Sequence, residues 1–79
     1  MDHTVNQELD AQGLTCPLPL LKAKQALNRM TANQVLKVLA TDAGSVRDFK
    51  VFCEQSGHEL MCANEKDGVY IYFLRKREL

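Results

Sequence analysis

Apolar positions along this chain recur with two different periods, and the switches between them mark out the elements. From Val5 to Ala11, "VNQELDA" alternates, with Val5, Leu9 and Ala11 on one side, which predicts a half-buried strand. Gly13 interrupts it. From Pro17 to about Met30 the period lengthens to a helical one. Leu20, Ala23, Leu27 and Met30 then form a stripe facing a core, opposite Leu18, Lys22, Gln25 and Arg29. "VLKVLAT", Val35 to Thr41, is a dense apolar run of the kind found in central strands. Ser45 and Asp48 have the spacing of a capping box. They open a second helix with Val46, Phe49 and Cys53 in its stripe and Phe52 at the margin. Gly57 stands where a helix-ending glycine is favoured. "HELMCANE" and "VYIYFLRK" flank Lys66, Asp67 and Gly68, the signature of a hairpin.

The predicted order is β-α-β-α-β-β. Right-handed crossovers place both helices on the same side of one mixed, four-stranded sheet, giving an α/β two-layer sandwich. Seventy-nine residues make one domain, spanning 1–79. A chain of this size buries only about 60% of its unfolded surface, so a single shared apolar layer is expected rather than a deep pocket. Ten basic and ten acidic side chains cancel. Strong attraction to nucleic acid or anionic membrane needs a positive excess, so neither direct nucleic-acid binding nor membrane association is expected. The basic end, "RKREL", reads as a solvated tail. No apolar run nears the ~18 residues of a membrane span, and no signal-peptide segment follows Met1, so the expected compartment is the cytoplasm.

The candidate chemistry lies in "GLTCPLPLLKAK", Gly13 to Lys24. Pro17 is predicted at the first helical position and Pro19 within the first turn, where a missing N–H removes no intrahelical bond. Both stiffen the backbone beside Cys16. Cys16 is then the N-cap, at the positive end of a helix dipole. Thiols in such places have pKa values lowered from about 8.5 toward about 3.5–7.5, and the thiolate is the reactive form. With no second cysteine two residues away, this is not a C-x-x-C redox pair. A lone thiol suits holding a group better than closing a local disulfide. Leu18, opposite the core stripe, is expected to be exposed beside it, with Lys22 and Arg29 on the same face. Together they suggest a docking surface.

"LDAQGLTCPLP", Leu9 to Pro19, resembles the L-D-x-x-G-L-x-C-P-x-P signature of the TusA/SirA-like sulfur-carrier family. "ATDAGS", "GHEL" and "YIYFLRK" follow in the family's order, so the likeness runs from Leu9 to Lys76. The resemblance implies the same two-layer fold, with Cys16 as the working residue and Gly13, Pro17 and Pro19 as its structural support. It implies that Cys16 accepts sulfane sulfur from a cysteine desulfurase or rhodanese and carries it as a persulfide. A downstream thiol-bearing sulfurtransferase would then receive it. The exchange proceeds by thiolate attack on sulfur. Such a carrier has little or no turnover by itself, needs no cofactor, and is expected to shuttle as a monomer. Leu18 stands between the prolines where members feeding tRNA thiolation often have an acidic residue. In this, "CPLPLLKAK" is more similar to members associated with sulfur oxidation, or to those of unassigned role.

The remaining candidates have simpler readings. Cys53 falls on a core stripe and is expected to pack; Cys62 lies in the third strand, on either face. Cys53, His58 and Cys62 match no standard zinc spacing, and no metal is expected. His3 is near a terminus expected to fray, and His58 follows Gly57 in a structural position. Asp10 and Asp42 end the first two strands as turn or cap residues and border the Cys16 end of the sheet. The rival reading is a small RNA-binding or regulatory module using the basic tail, with Tyr70 and Tyr72 as its stacking surface. A cysteine hydrolase would need a base and an oxyanion site in a pocket, which the sequence does not supply.

Overall fold

The computed structural model describes residues 5–78; His3 lies outside them. Six elements follow in the predicted order: β1 (Gln7–Ala11), α1 (Leu18–Asn28), β2 (Val35–Ala40), α2 (Ser45–Ser56), β3 (Glu59–Lys66) and β4 (Val69–Arg75). The sheet runs β1-β2-β4-β3, with β1 and β2 parallel and the other neighbours antiparallel. The dense apolar run thus forms a central strand. Both crossovers lie on one face, where α1 covers β1 and β2, α2 lies against β3, and the helices touch each other. Leu36, Val38 and Ala40 of β2, with Tyr72 and Leu74 of β4, meet Ala23, Leu27, Met30, Phe49 and Cys53 in one buried layer.

Local chemistry explains most of the boundaries. Gly57 ends α2 at φ 85°, a left-handed conformation that a Cβ disfavours. The hairpin turns on Asp67 and Gly68, at φ 53° and 81°, as the tightest right-twisting turns require. β1 starts at Gln7 rather than Val5, which is 39% exposed. The cause is Asn6, whose backbone N–H donates to the Val35 carbonyl at 2.9 Å while its own Oδ1 accepts the Val35 N–H at 2.8 Å. Asn6 therefore closes the strand pair with its side chain.

The helical stripes are shifted from those predicted. In α1, Pro19 is buried with Ala23 and Leu27, while Leu20 is half-buried. In α2, Ser45 is buried and Val46 is 46% exposed. Ser45 does not cap the helix. Gly44 is the N-cap without a side-chain bond, and the Ser45 hydroxyl instead shares a 2.7 Å hydrogen bond with the Tyr72 hydroxyl in the core. Burial of two polar groups is tolerable because each satisfies the other.

Nor is the basic tail simply solvated. Lys76 is half-buried, and its Nζ donates to the Leu27 carbonyl at 2.6 Å. A cation there complements the negative end of α1, which has no capping glycine. Arg75 pairs with Glu59, and the Arg77 N–H donates to His58 Nδ1 at 3.1 Å.

Candidate functional site

Parallel β1 and β2 end at the same edge of the sheet, so the two loops leaving them and the starts of both helices converge there. The Gly13 N–H ties these loops together, donating to Thr41 Oγ1 at 2.9 Å. Gly13 itself sits at φ 81°, where a side chain would strain the turn. Asp10 is a turn residue as expected: its Oδ1 accepts the Gln12 N–H at 3.0 Å. Pro17 is the N-cap of α1, preceded by a cis peptide bond, so Cys16 stands one residue further out than predicted. Pro19, buried beneath the first turn, anchors that end of the helix to the core.

Cys16 is exposed. Its Sγ donates to Asp48 Oδ2 at 2.9 Å, joining the start of α1 to the first turn of α2. Asp42 lies on the other side of this corner. A Cβ added to Gly44 would fall 3.0 Å from Asp42 Oδ2 and 3.9 Å from Cys16 Cβ. A bare glycine therefore lets the thiol and two carboxylates share the space. Asp42 Oδ2 is buried and takes no hydrogen bond among the described residues. Asp42 serves the turn through its backbone, its carbonyl accepting the Ser45 N–H at 3.0 Å.

This geometry reverses the expected electrostatics. The Cys16 pKa is raised above the ordinary thiol value, first by the hydrogen bond to Asp48, then by desolvation and by the charges of Asp48 and Asp42. The helix start gives little compensation. Pro17 and Pro19 have no N–H, and the Leu18 N–H is used by the Thr15 carbonyl at 2.9 Å. The result is an accessible sulfur held as a thiol.

Of the other cysteines, Cys53 is 7% exposed, and burial pushes its pKa up to about 11. Cys62 is half-buried, and its sulfur accepts Asn64 Nδ2 at 3.1 Å. No three His, Cys, Asp or Glu side chains converge as metal ligands among the described residues. His58 stands at the far end of α2 from Cys16, against the Phe52 ring. Burial, with Lys76 and Arg77 nearby, lowers its pKa.

The residues suggested as a docking face are partly united. Leu18 is 43% exposed beside the thiol. Lys22 and Arg29 line a shallow groove between α1 and β1 with Gln7, Glu8 and Gln25. Leu21, at 44% exposure, is a neighbour the periodicity did not single out. A second groove, between the helices, leads from Asp48 past Lys24, Arg47, Val51 and Phe52. The RNA-binding alternative loses one of its two stacking residues: Tyr72 is 1% exposed and bonded to Ser45, while Tyr70 is half-buried.

Asp48 is the site residue that the sequence reading assigned elsewhere, as a helix cap. The available signal was topological: successive right-handed crossovers from adjacent parallel strands start their helices at one edge. Acidic first-turn residues of α2 must therefore lie near a cysteine preceding α1.

No helix among the described residues is long and apolar enough to cross a membrane. The family model described as sulfurtransferase TusA matches residues 7–76. The sulfur carrier protein TusA of Allochromatium vinosum is 54% identical over 71 residues, which are 90% of this chain and 93% of that protein. A sulfur carrier protein TusA of Pseudomonas syringae is 42% identical over 74 residues, 94% of this chain and 88% of its own. Among solved structures, a SirA-like protein from Desulfitobacterium hafniense matches with a TM-score of 0.80 and 31% identity, covering 91% of this chain and 99% of that one. These matches take in the Cys16 loop, both helices and the whole sheet, and the chain belongs to the TusA family of sulfurtransferases.

Proposed function

We propose that this protein is a sulfur carrier whose Cys16 accepts sulfane sulfur as a persulfide and relays it to the thiol of an acceptor protein. The observation that carries this reading is the placement of the thiol. Cys16 is exposed at a rim where two helices begin, on a loop tied down by Gly13 and Pro19. A thiol at a rim can enter the active site of one protein and then another. Supporting it, two leucines near Cys16 are exposed, as a contact surface requires: Leu18 at 43% and Leu21 at 44%.

The sulfur donor is a cysteine desulfurase or a rhodanese, and the acceptor a thiol-bearing sulfurtransferase, all in the cytoplasm. Gly13, Pro17 and Pro19 hold the loop, while Leu18, Lys22 and Arg29 contact the partner. The direct test is intact-mass analysis after separate incubations with a cysteine desulfurase and with a rhodanese, each with its sulfur source. A reducible gain of ~32 Da is the expected result, and its reversal by dithiothreitol separates it from irreversible sulfinic acid. No gain with either donor class would contradict the reading.

The docking role of Leu18 has its own consequence. Completing the burial of a half-exposed leucine is worth about 1 kcal/mol, so Leu18→Ser should raise the KM for a protein donor about fivefold. Iodoacetamide reactivity of Cys16 and the unfolding midpoint should stay as in the wild type. An unchanged KM would remove Leu18 from the contact surface.

A further inference from the structure

We propose that Asp48 is a catalytic residue, taking the proton from Cys16 as sulfur arrives and returning it to the sulfur that leaves. The inference rests on the sulfur-carrier reading and adds a second residue to its chemistry.

An aspartate in a helix's first turn needs no function, since it favours the dipole there. The direction of this side chain is what sets it apart. Its Oδ2 accepts the hydrogen bond from Cys16 Sγ at 2.9 Å, across 32 residues of sequence and from the start of the other helix. That distance lies within the ~2.6–3.2 Å reach required of a general base. The charged groups facing Sγ are Asp48 on α2 and Asp42 in the loop before it. His58, the described residue otherwise suited to proton transfer, is at the other end of α2 and engaged by the Arg77 N–H.

The step balances without an outside oxidant. The donor presents a persulfide, R–S–SH. Sγ attacks its terminal sulfur, and the Sγ–S bond forms while the donor S–S bond breaks. The electron pair leaves on the donor's inner sulfur. The Sγ proton passes to Asp48 Oδ2 as the new bond makes it acidic, and from there to the departing sulfur. The products are Cys16–S–SH and R–SH, one sulfur atom has moved, and the carboxylate is restored. The reverse sequence unloads the carrier onto an acceptor thiol. Between partners the same contact keeps Cys16 protonated, and a thiol resists oxidation better than a thiolate.

Two measurements on wild type, Asp48→Asn and Asp48→Glu decide the matter, with circular dichroism confirming the fold. One is the pH dependence of Cys16 alkylation by iodoacetamide, mapped by peptide mass. The other is the single-turnover rate of sulfur uptake from a persulfidated rhodanese. Asparagine removes the charge that raises the thiol pKa, so the alkylation midpoint should move to lower pH and alkylation at neutral pH should speed up. Sulfur uptake should nevertheless slow by about a hundredfold, the lower end of what general acid–base catalysis contributes. Glutamate should restore much of it. A residue acting only through structure would not move the two rates in opposite directions. An unmoved alkylation midpoint would overturn the thiol–carboxylate coupling. A shifted midpoint with undiminished uptake would make Asp48 a brake and overturn the relay. Absence of uptake by the wild type would instead refute the carrier reading, and the relay with it.

Discussion

Cys16→Ser is expected to abolish sulfur loading, while Cys62→Ser loads as the wild type does. Three thiols could in principle take up sulfur, and their surroundings separate them. Cys53 is 7% exposed in the core, with its pKa pushed up to about 11 by burial. It offers neither access nor thiolate. Cys62 is half-buried on a strand, where Asn64 donates to its sulfur. Only Cys16 combines exposure, a loop at the rim and a proton acceptor at 2.9 Å. Loading is read as the reducible mass gain of ~32 Da, with peptide mapping to place it. A gain that survives in Cys16→Ser would move the carrier site elsewhere.

The second large effect concerns the platform on which the thiol and carboxylate meet. Phe49→Ala should destabilise the protein by about 3–5 kcal/mol, as truncation of a fully buried aromatic does. Phe49 is 0% exposed and stacks on Tyr72 with centroids 4.6 Å apart. At ~0.05–0.15 kcal/mol per residue, a chain of 79 residues has about 4–12 kcal/mol in total. The substitution therefore removes much of the stability, and in a domain this small the melting temperature should fall by at least about 12 °C. Asp48 adjoins Phe49 in α2, so loosening this anchor also frees the carboxylate from Cys16. Val46→Ala is the contrast: at 46% exposure, it should cost under about 0.5 kcal/mol. A thermal melt of each variant checks both values, and equal shifts would contradict the observed burial.

The features legible in sequence were those set by neighbours along the chain. Alternation in β1, the helical stripes, the dense apolar run of β2 and the hairpin signature located all six elements, and Gly57 marked the left-handed end of α2. The strand order was not readable. Features set by distant partners were misread, each for a definite reason. Ser45 matched a capping box locally, but Tyr72, 27 residues away, takes its hydroxyl into the core. Asp48 belonged to the same local pattern, yet its partner is Cys16, from the preceding crossover. The tail looked solvated because its charges cluster, whereas Lys76 is drawn to the end of α1, to the Leu27 carbonyl. At the site, Cys16 and its prolines stood out in the sequence, and the helix dipole suggested a thiolate. The carboxylates that reverse this effect come from α2 and the loop before it, and the two prolines have no N–H to oppose them.

Carrying differs from mere storage in that the sulfur must leave again. The most direct measurement is a two-stage transfer followed by intact mass. The wild-type protein is loaded from a persulfidated rhodanese, separated from it, and mixed with rhodanese in its free thiol form. A carrier requires that the ~32 Da disappear from Cys16 and appear, reducible, on the fresh rhodanese. Sulfur that stays on Cys16 while the acceptor gains nothing would contradict the sulfur-carrier function.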